Sequence, residues 1–387
     1  MLTQTTAMLV DAYRELNSKK LFWISIVLSS VAIIAYGAIG ISDKGITFLS
    51  FTIPLPGGGQ SIPKDLFYKS IFASLGVRVW LPFVVTSLAL VSTAGIIPSF
   101  ISDGSIELYL SKPISRARIY LTKFISGMLF VGLQIGIFSF AAFAIIGIRG
   151  GSWEPRILLA IPIVLLFFSY LFAFCTFIGL ITKSTITALL LTVLLWLLVM
   201  LLNFTDMTFA AMRVQSEMLN ERWVRQVEID EQHARDTIAT LAENNEPQLT
   251  RDQWPEGATD DLEAAYPTLI DTREHVQQSA KVRASMTKWH RIILASKFVL
   301  PKTGETLDLL KKVLFTEADY ARMNTGDDDK EIPSMFNQDV TINQSEYGQR
   351  ISKYLLNRSL PWTLGTSLAF ELFFLGLGTI IFMRRDF

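Results

Sequence analysis

The sequence predicts an all-α, polytopic membrane protein with six transmembrane helices, an N-terminal interfacial helix and a helical extracytoplasmic insertion between the fifth and sixth. Three observations lead there. Half of the 387 residues are hydrophobic and the mean hydropathy is +0.38. Six apolar stretches approach or exceed the ~20 residues that a helix needs to cross a bilayer. The formal charge of zero is a cancellation of two unlike regions: residues 207–357 hold 18 Lys and Arg against 25 Asp and Glu, a net of −7, and the remainder holds 17 against 10, a net of +7. A membrane body with basic edges and an acidic, solvated insertion has this composition. The single Cys175 lies in an apolar run, which excludes an intrachain disulfide.

The spans are expected at 21–41, 79–101, 121–148, 157–181, 186–204 and 361–383. Lys19 and Lys20 precede the first, whose length favours an uncleaved span over a secretory signal. Arg14, Lys19 and Lys20, the 102–123 loop, Lys183, and Arg384 with Arg385 all fall on one side if the count is six. The positive-inside rule then places both termini in the cytoplasm. Three expected domains follow: 1–206 with the first five spans, 207–357 as the extracytoplasmic insertion, and 358–387 with the last span. Ahead of the first span, Met8, Leu9, Ala12, Tyr13 and Leu16 recur at helical spacing opposite Asp11, Arg14 and Glu15, as in a helix lying at the membrane interface. Gly127, Gly132, Gly136, Gly376 and Gly378 allow close helix contact within the spans.

The insertion is polar without being of low complexity. Residues 209–243 read as a long charged helix. A second runs over 262–300, broken near Pro267 and closed by Pro301, and 305–315 forms a short amphipathic one. Residues 324–343 read as loop. All three histidines, His233, His275 and His290, lie in the insertion, where a solvated surface position is expected rather than a metal site. Asp327, Asp328 and Asp329 lack the alternating ligands and closing glutamate of a calcium loop. No Gly-x-x-x-x-Gly-Lys-Ser/Thr occurs, so the chain carries no phosphate loop of its own. Nothing points to a metal, to a cofactor held by this chain or to nucleic acid.

One intramembrane charge stands apart. Glu371 lies near the middle of the sixth span, where a carboxylate costs at least ~2.5 kcal/mol on insertion scales. It serves either a pathway or subunit interface, or packing alone, and Gln134 in the third span is a candidate partner.

Between the second and third spans, residues 102–123 read Ser-Asp-Gly-Ser-Ile-Glu-Leu-Tyr-Leu-Ser-Lys-Pro-Ile-Ser-Arg-Ala-Arg-Ile-Tyr-Leu-Thr-Lys. An acid and glycine turn, a short apolar helix, Lys-Pro, then Ser-Arg and a lysine entering the next span resemble the first cytoplasmic loop of ABC exporter permeases of the type-2 class. Two further segments are similar to that family. Leu-Pro-Lys-Thr-Gly-Glu at 300–305 with the amphipathic stretch after it resembles the external region before the last span in permeases of nitrous-oxide-reductase maturation and antibiotic export. The ending Phe-Met-Arg-Arg-Asp-Phe at 382–387 is also similar. The insertion is larger than the family's usual short external helices.

The resemblance implies a permease subunit of an ATP-driven transporter, in a bacterial cytoplasmic (inner) membrane. It has no enzymatic chemistry of its own and pairs with a second copy or a related permease. ATP and Mg would be bound by separate cytoplasmic ATPase subunits. Asp103, Gly104, Glu107, Leu108, Leu110 and Lys112 are then expected to touch the ATPase, with Arg116, Arg118 and Lys123 anchoring the loop at lipid head groups. A competing reading is a structural or regulatory anchor whose external domain binds a partner protein. A secondary transporter is a third, and it would carry more intramembrane charge than Glu371.

Overall fold

The computed structural model describes residues 20–42, 44–49, 51–54, 63–102, 114–244, 250–315, 330–337, 340–356 and 359–385, with positions 10, 14, 17 and 319. The proposed interfacial helix before residue 20 lies mostly outside them. Along the chain run α1 (Lys20–Ala38), β1 (Ile39–Ser42), β2 (Gly45–Phe48), β3 (Phe51–Pro54) and α2 (Lys64–Ser102). Next come α3 (Arg116–Gly150), α4 (Pro155–Thr182) and α5 (Thr185–Glu243). The remainder holds α6 (Asp261–Ala265), α7 (Thr268–Ser296), α8 (Thr303–Leu314), β4 (Glu331–Pro333), β5 (Thr341–Asn343), α9 (Gln344–Leu356) and α10 (Leu360–Arg384). The protein is mostly helical, and two small antiparallel sheets qualify the all-α expectation.

The chain divides into two compact units: Met1–Leu201 with Lys297–Met323 and Arg358–Phe387, and Leu202–Ser296 with Asn324–Asn357. This division departs from the expected domains, since part of the supposed insertion, beginning at Lys297, belongs to the unit that holds the apolar helices.

In that first unit, α2, α3, α4, α5 and α10 are each long and apolar enough to cross a membrane. The apolar part of α1, Trp23–Ala38, is shorter, because the chain leaves the helix at Ile39 for the β1–β2 hairpin, where Ile39 pairs with Phe48. Gly45 turns that hairpin at φ 146°, a backbone conformation open to glycine. On α3, Leu129, Leu133, Ile137 and Phe140 recur at helical spacing and are exposed, while Val131, Ile135, Phe138 and Ala142 are buried. An apolar stripe turned outward is the reverse of a water-facing helix and suits lipid. α2 contains a π-helical stretch, Phe72–Val85, around Pro82, whose ring and missing N–H disturb regular α-helical bonding.

The core of this unit is aromatic and centres on α4. Phe167, Phe168, Leu171 and Phe172 are fully buried, and Phe172 stacks on Phe168 at 5.3 Å and on Phe124 of α3 at 5.2 Å. Two glycines make the close approaches possible. A Cβ at Gly127 would lie 2.6 Å from the Phe172 ring, and one at Gly378 would overlap Tyr120. Gly136 and Gly376 face open space instead. α8 buries Thr303, Thr306, Leu310 and Leu314 along one face and packs on α4 and α10.

The second unit is built on polar contacts around a small apolar cluster of Val214, Met218 and Ile342. α6 and α7 separate at Pro267, as expected, because the residue before a proline avoids helical geometry; Tyr266 has φ −139°. Residues 331–333 and 341–343, expected as loop, instead pair as β4 and β5. Arg273 ties the α6 turn down, contacting Asp260 at 2.6 Å, Glu263 at 2.7 Å and Glu231 of α5 at 2.9 Å. Burial pushes the Asp260 and Glu263 carboxyls up. Hydrogen bonds from Arg273, and for Glu263 from Thr259, outweigh it and hold both below the usual carboxylate range.

Gly378→Ala must displace Tyr120 and is expected to cost about 1–3 kcal/mol, read as a lower thermal midpoint in detergent. Gly376→Ala, on open space, should leave the midpoint unchanged or raise it. In the second unit, carboxylates with depressed pKa stabilise the fold above their unfolded pKa of about 4, and that contribution is lost as pH falls through the folded value. Hydrogen-exchange protection factors of residues 259–266 should therefore be high at pH 7 and fall only below about pH 4. Arg273→Gln should open the same segment at pH 7, since an unpaired buried group costs roughly 1–3 kcal/mol.

Candidate functional site

The residues expected to touch an ATPase, Asp103, Gly104, Glu107, Leu108, Leu110 and Lys112, lie outside the described residues. What is described is the base from which that loop springs. Lys123, expected at lipid head groups, is instead buried, its ammonium 4.9 Å from the Phe100 ring centroid. Phe100 ends one arm of the loop on α2 and Lys123 begins the other on α3, so this cation–π contact joins the two arms. Arg116 likewise turns to protein, donating to the carbonyls of Met383 at 3.3 Å and Arg385 at 2.6 Å. Arg118 is half-buried. The Arg385 guanidinium in turn donates to the Leu180 carbonyl. Carbonyls at a helix C-terminus have no intrahelical donor, and cations there also meet the negative end of the helix dipole. The start of α3 and the ends of α4 and α10 are thereby joined at one level, with Tyr120 against Phe382 at 5.7 Å and hydrogen-bonded to Thr176 at 3.2 Å.

Within the apolar layer, Ser169 of α4 donates to Glu371 of α10 at 2.8 Å. Gln134 is not the partner: it is buried, and among the described residues neither its Oε1 nor its Nε2 has a hydrogen-bond partner. The Ser139 hydroxyl is also buried, with no hydrogen-bond partner among the described residues. Each such group costs about 1–3 kcal/mol.

A third polar cluster occupies the motif at 300–305. The Lys302 ammonium donates to the carbonyls of Lys297 at 2.6 Å, Phe298 at 2.9 Å and Leu300 at 2.9 Å. It lies 5.9 Å from the ring centroid of Phe298 and 5.5 Å from that of Trp362. Its own N–H donates to Ser367 at 2.8 Å, and Thr306 donates to its carbonyl at 2.7 Å. Lys297 pairs with Glu305. Burial pushes the Lys302 ammonium down to about 8, against the raising influence of Glu305. Sequence inspection marked this motif but not its role, which is to close a turn of exposed carbonyls and fasten it to α10.

The second unit has a buried cluster of its own. His290, expected on the surface, is fully buried, its Nε2 3.2 Å from Asp206 and 2.9 Å from the Tyr354 hydroxyl, and its Nδ1 has no partner among the described residues. One ring nitrogen can donate to Asp206 or accept from Tyr354 but not both at once, so the contact depends on the imidazole's tautomer. His275 stacks on Trp223 at 4.3 Å instead of approaching His290. Among the described residues no group of three His, Cys, Asp or Glu side chains could hold a metal ion. Asp206, a carboxylate directly after an apolar run, was a visible signal. Tyr354 was not, because its contact is made across 64 residues of chain.

Comparison with protein-family models, with curated proteins and with solved structures finds no match.

Glu371→Gln keeps the shape and a hydrogen bond to Ser169 while removing the ionisable carboxyl. If Glu371 serves a pathway, transport should fall severalfold with folded yield and thermal midpoint unchanged. Equal losses of yield and activity would assign it to packing.

Proposed function

We propose that this chain is the permease subunit of an ATP-driven transporter of the ABC type, working as an exporter. It crosses the membrane six times, with α1 completing the count, and both termini are cytoplasmic. Two copies, or this chain and a related permease, form the pathway at their interface. ATP and Mg are bound by separate cytoplasmic ATPase subunits, and the unit beginning at Leu202 lies outside the cytoplasm.

The observation that carries the reading is the anchorage of the 102–123 loop. A loop that transmits force needs arms that do not yield independently, and here Lys123 on Phe100 joins the arms while Arg116 and Arg385 bind their base to two other helix ends. A loop that only connects two spans has no need of a buried lysine at its root. In the proposed mechanism, ATPase closure pushes on residues 103–112. The joined ends of α3, α4 and α10 then move as one body, shifting the apolar helices against the second permease.

Gentle purification is expected to recover an ATPase in equal amount with this chain, and Glu107→Lys should lower permease-stimulated ATP hydrolysis severalfold without changing membrane insertion. Copurification with an extracytoplasmic protein and no ATPase would favour the anchor reading. Unchanged stimulation would remove Glu107 from the contact.

A further inference from the structure

From Glu274 to Glu305 the chain contains Lys281, Arg283, Lys288, Arg291, Lys297 and Lys302 and no carboxylate between them, inside a region whose net charge is −7. The basic run therefore opposes the local average. On α7, Arg283, Thr287 and Arg291 form one row at four-residue spacing, and Ala284, Lys288 and Ile292 form the adjacent row. Together they line one wall of an open cavity of about 730 Å³.

The opposite wall is α5, with Glu217 and Glu221. Both acids are already engaged from outside the cavity. Arg213 holds Glu217 at 2.8 Å, and Arg350 grips Glu221 through two bonds of 2.9 and 2.7 Å. The hydrogen bonds from Arg350 keep the Glu221 carboxyl below its usual range despite partial burial. Among the described residues, Arg283, Lys288 and Arg291 make no ion pair. The field of Arg283 helps to lower the Glu221 carboxyl, and the cavity thus offers three cations outside any ion pair against two acids already held by other arginines.

The same turns of α7 expose Trp289, Ile292 and Leu294, with Trp289 at 51 % and Ile292 at 48 %. Lys and Arg interleaved with exposed Trp and aliphatic side chains is the composition of a surface at the level of lipid head groups. The chain also passes directly from Ser296 at the end of α7 into Lys297, which belongs to the unit with the apolar helices.

We propose that the C-terminal half of α7 binds an anionic phospholipid, with Arg283, Lys288 and Arg291 on the head-group phosphate and Trp289, Ile292 and Leu294 against the upper acyl chains. Charge complementarity selects an anion, and the neighbouring apolar side chains select a lipid over free phosphate or an acidic peptide. The inference does not depend on the transport reading.

The full-length protein in phosphatidylcholine nanodiscs, with and without phosphatidylglycerol, provides the test. Native mass spectrometry should show phosphatidylglycerol retained in preference to phosphatidylcholine. The triple variant Arg283→Gln, Lys288→Gln, Arg291→Gln should lose that preference by on the order of a hundredfold, at about fivefold per cation. Among the described residues all three side chains are outside any ion pair, so the variant's thermal midpoint in phosphatidylcholine alone should match the wild type. If it does not, the three single variants replace it, each expected to lose about fivefold. Equal retention of the two lipids by the wild type, or undiminished retention by the variants, would overturn the proposal. So would complete displacement of the lipid by equimolar inorganic phosphate or by a poly-glutamate peptide.

Discussion

Polar groups inside an apolar layer have no solvent to turn to, and the architecture of the first unit follows from that constraint. Backbone amides are satisfied within helices, which alone meet the requirement in a single segment. Side-chain hydroxyls follow the same rule: Ser92, Thr93, Ser126 and Thr192 each donate to a carbonyl one turn earlier at 2.7–2.8 Å. Where helices end, the orphan carbonyls need donors from elsewhere. Arg116 and Arg385 supply them at one level, and Lys302 supplies three more in the turn before α8. Because Arg116 and Arg385 each reach from one helix to another, satisfying those carbonyls also fastens the helices together.

Against that background the exceptions carry information. Gln134 and Ser139 on α3 are buried polar groups left without partners among the described residues, each at a cost that an aliphatic residue would avoid. A body that only holds another domain in a bilayer gains nothing from them. A body whose helices must shift against one another can use polar positions that are unpaired in one arrangement and paired in another, which accords with the transport reading.

The second unit solves a different problem, since its helices are charged and its apolar cluster is small. Its stability rests on arginines shared among several carboxylates: Arg273 with three, and Arg350 with Glu221 and Glu346. These networks join α5 to α6, α7 and α9, work that hydrophobic burial does in the first unit. The C-terminal half of α7 stands out because its cations are left out of the networks.

Much of this was legible in one dimension. Long apolar runs bounded by Lys and Arg marked the helices from 79 onwards that are long and apolar enough to cross a membrane, because bilayer thickness and helix rise set that length. Pro267 marked the start of α7, which ends at Ser296 and not at the expected residue 300, and the 3.6-residue periodicity of 305–315 identified α8 as amphipathic. What the sequence could not decide were matters of long-range pairing. The first apolar run was too uniform to reveal that the chain leaves the helix at Ile39 for a hairpin. Glu371 announced a cost but not Ser169 as its partner, 202 residues away. Lys123 and His290 carried the composition of exposed residues and proved buried, since whether a polar side chain is solvated depends on what packs over it. Local composition and periodicity determined the elements and their medium; only the tertiary structure decided which polar groups meet, because such contacts join residues that no local pattern relates.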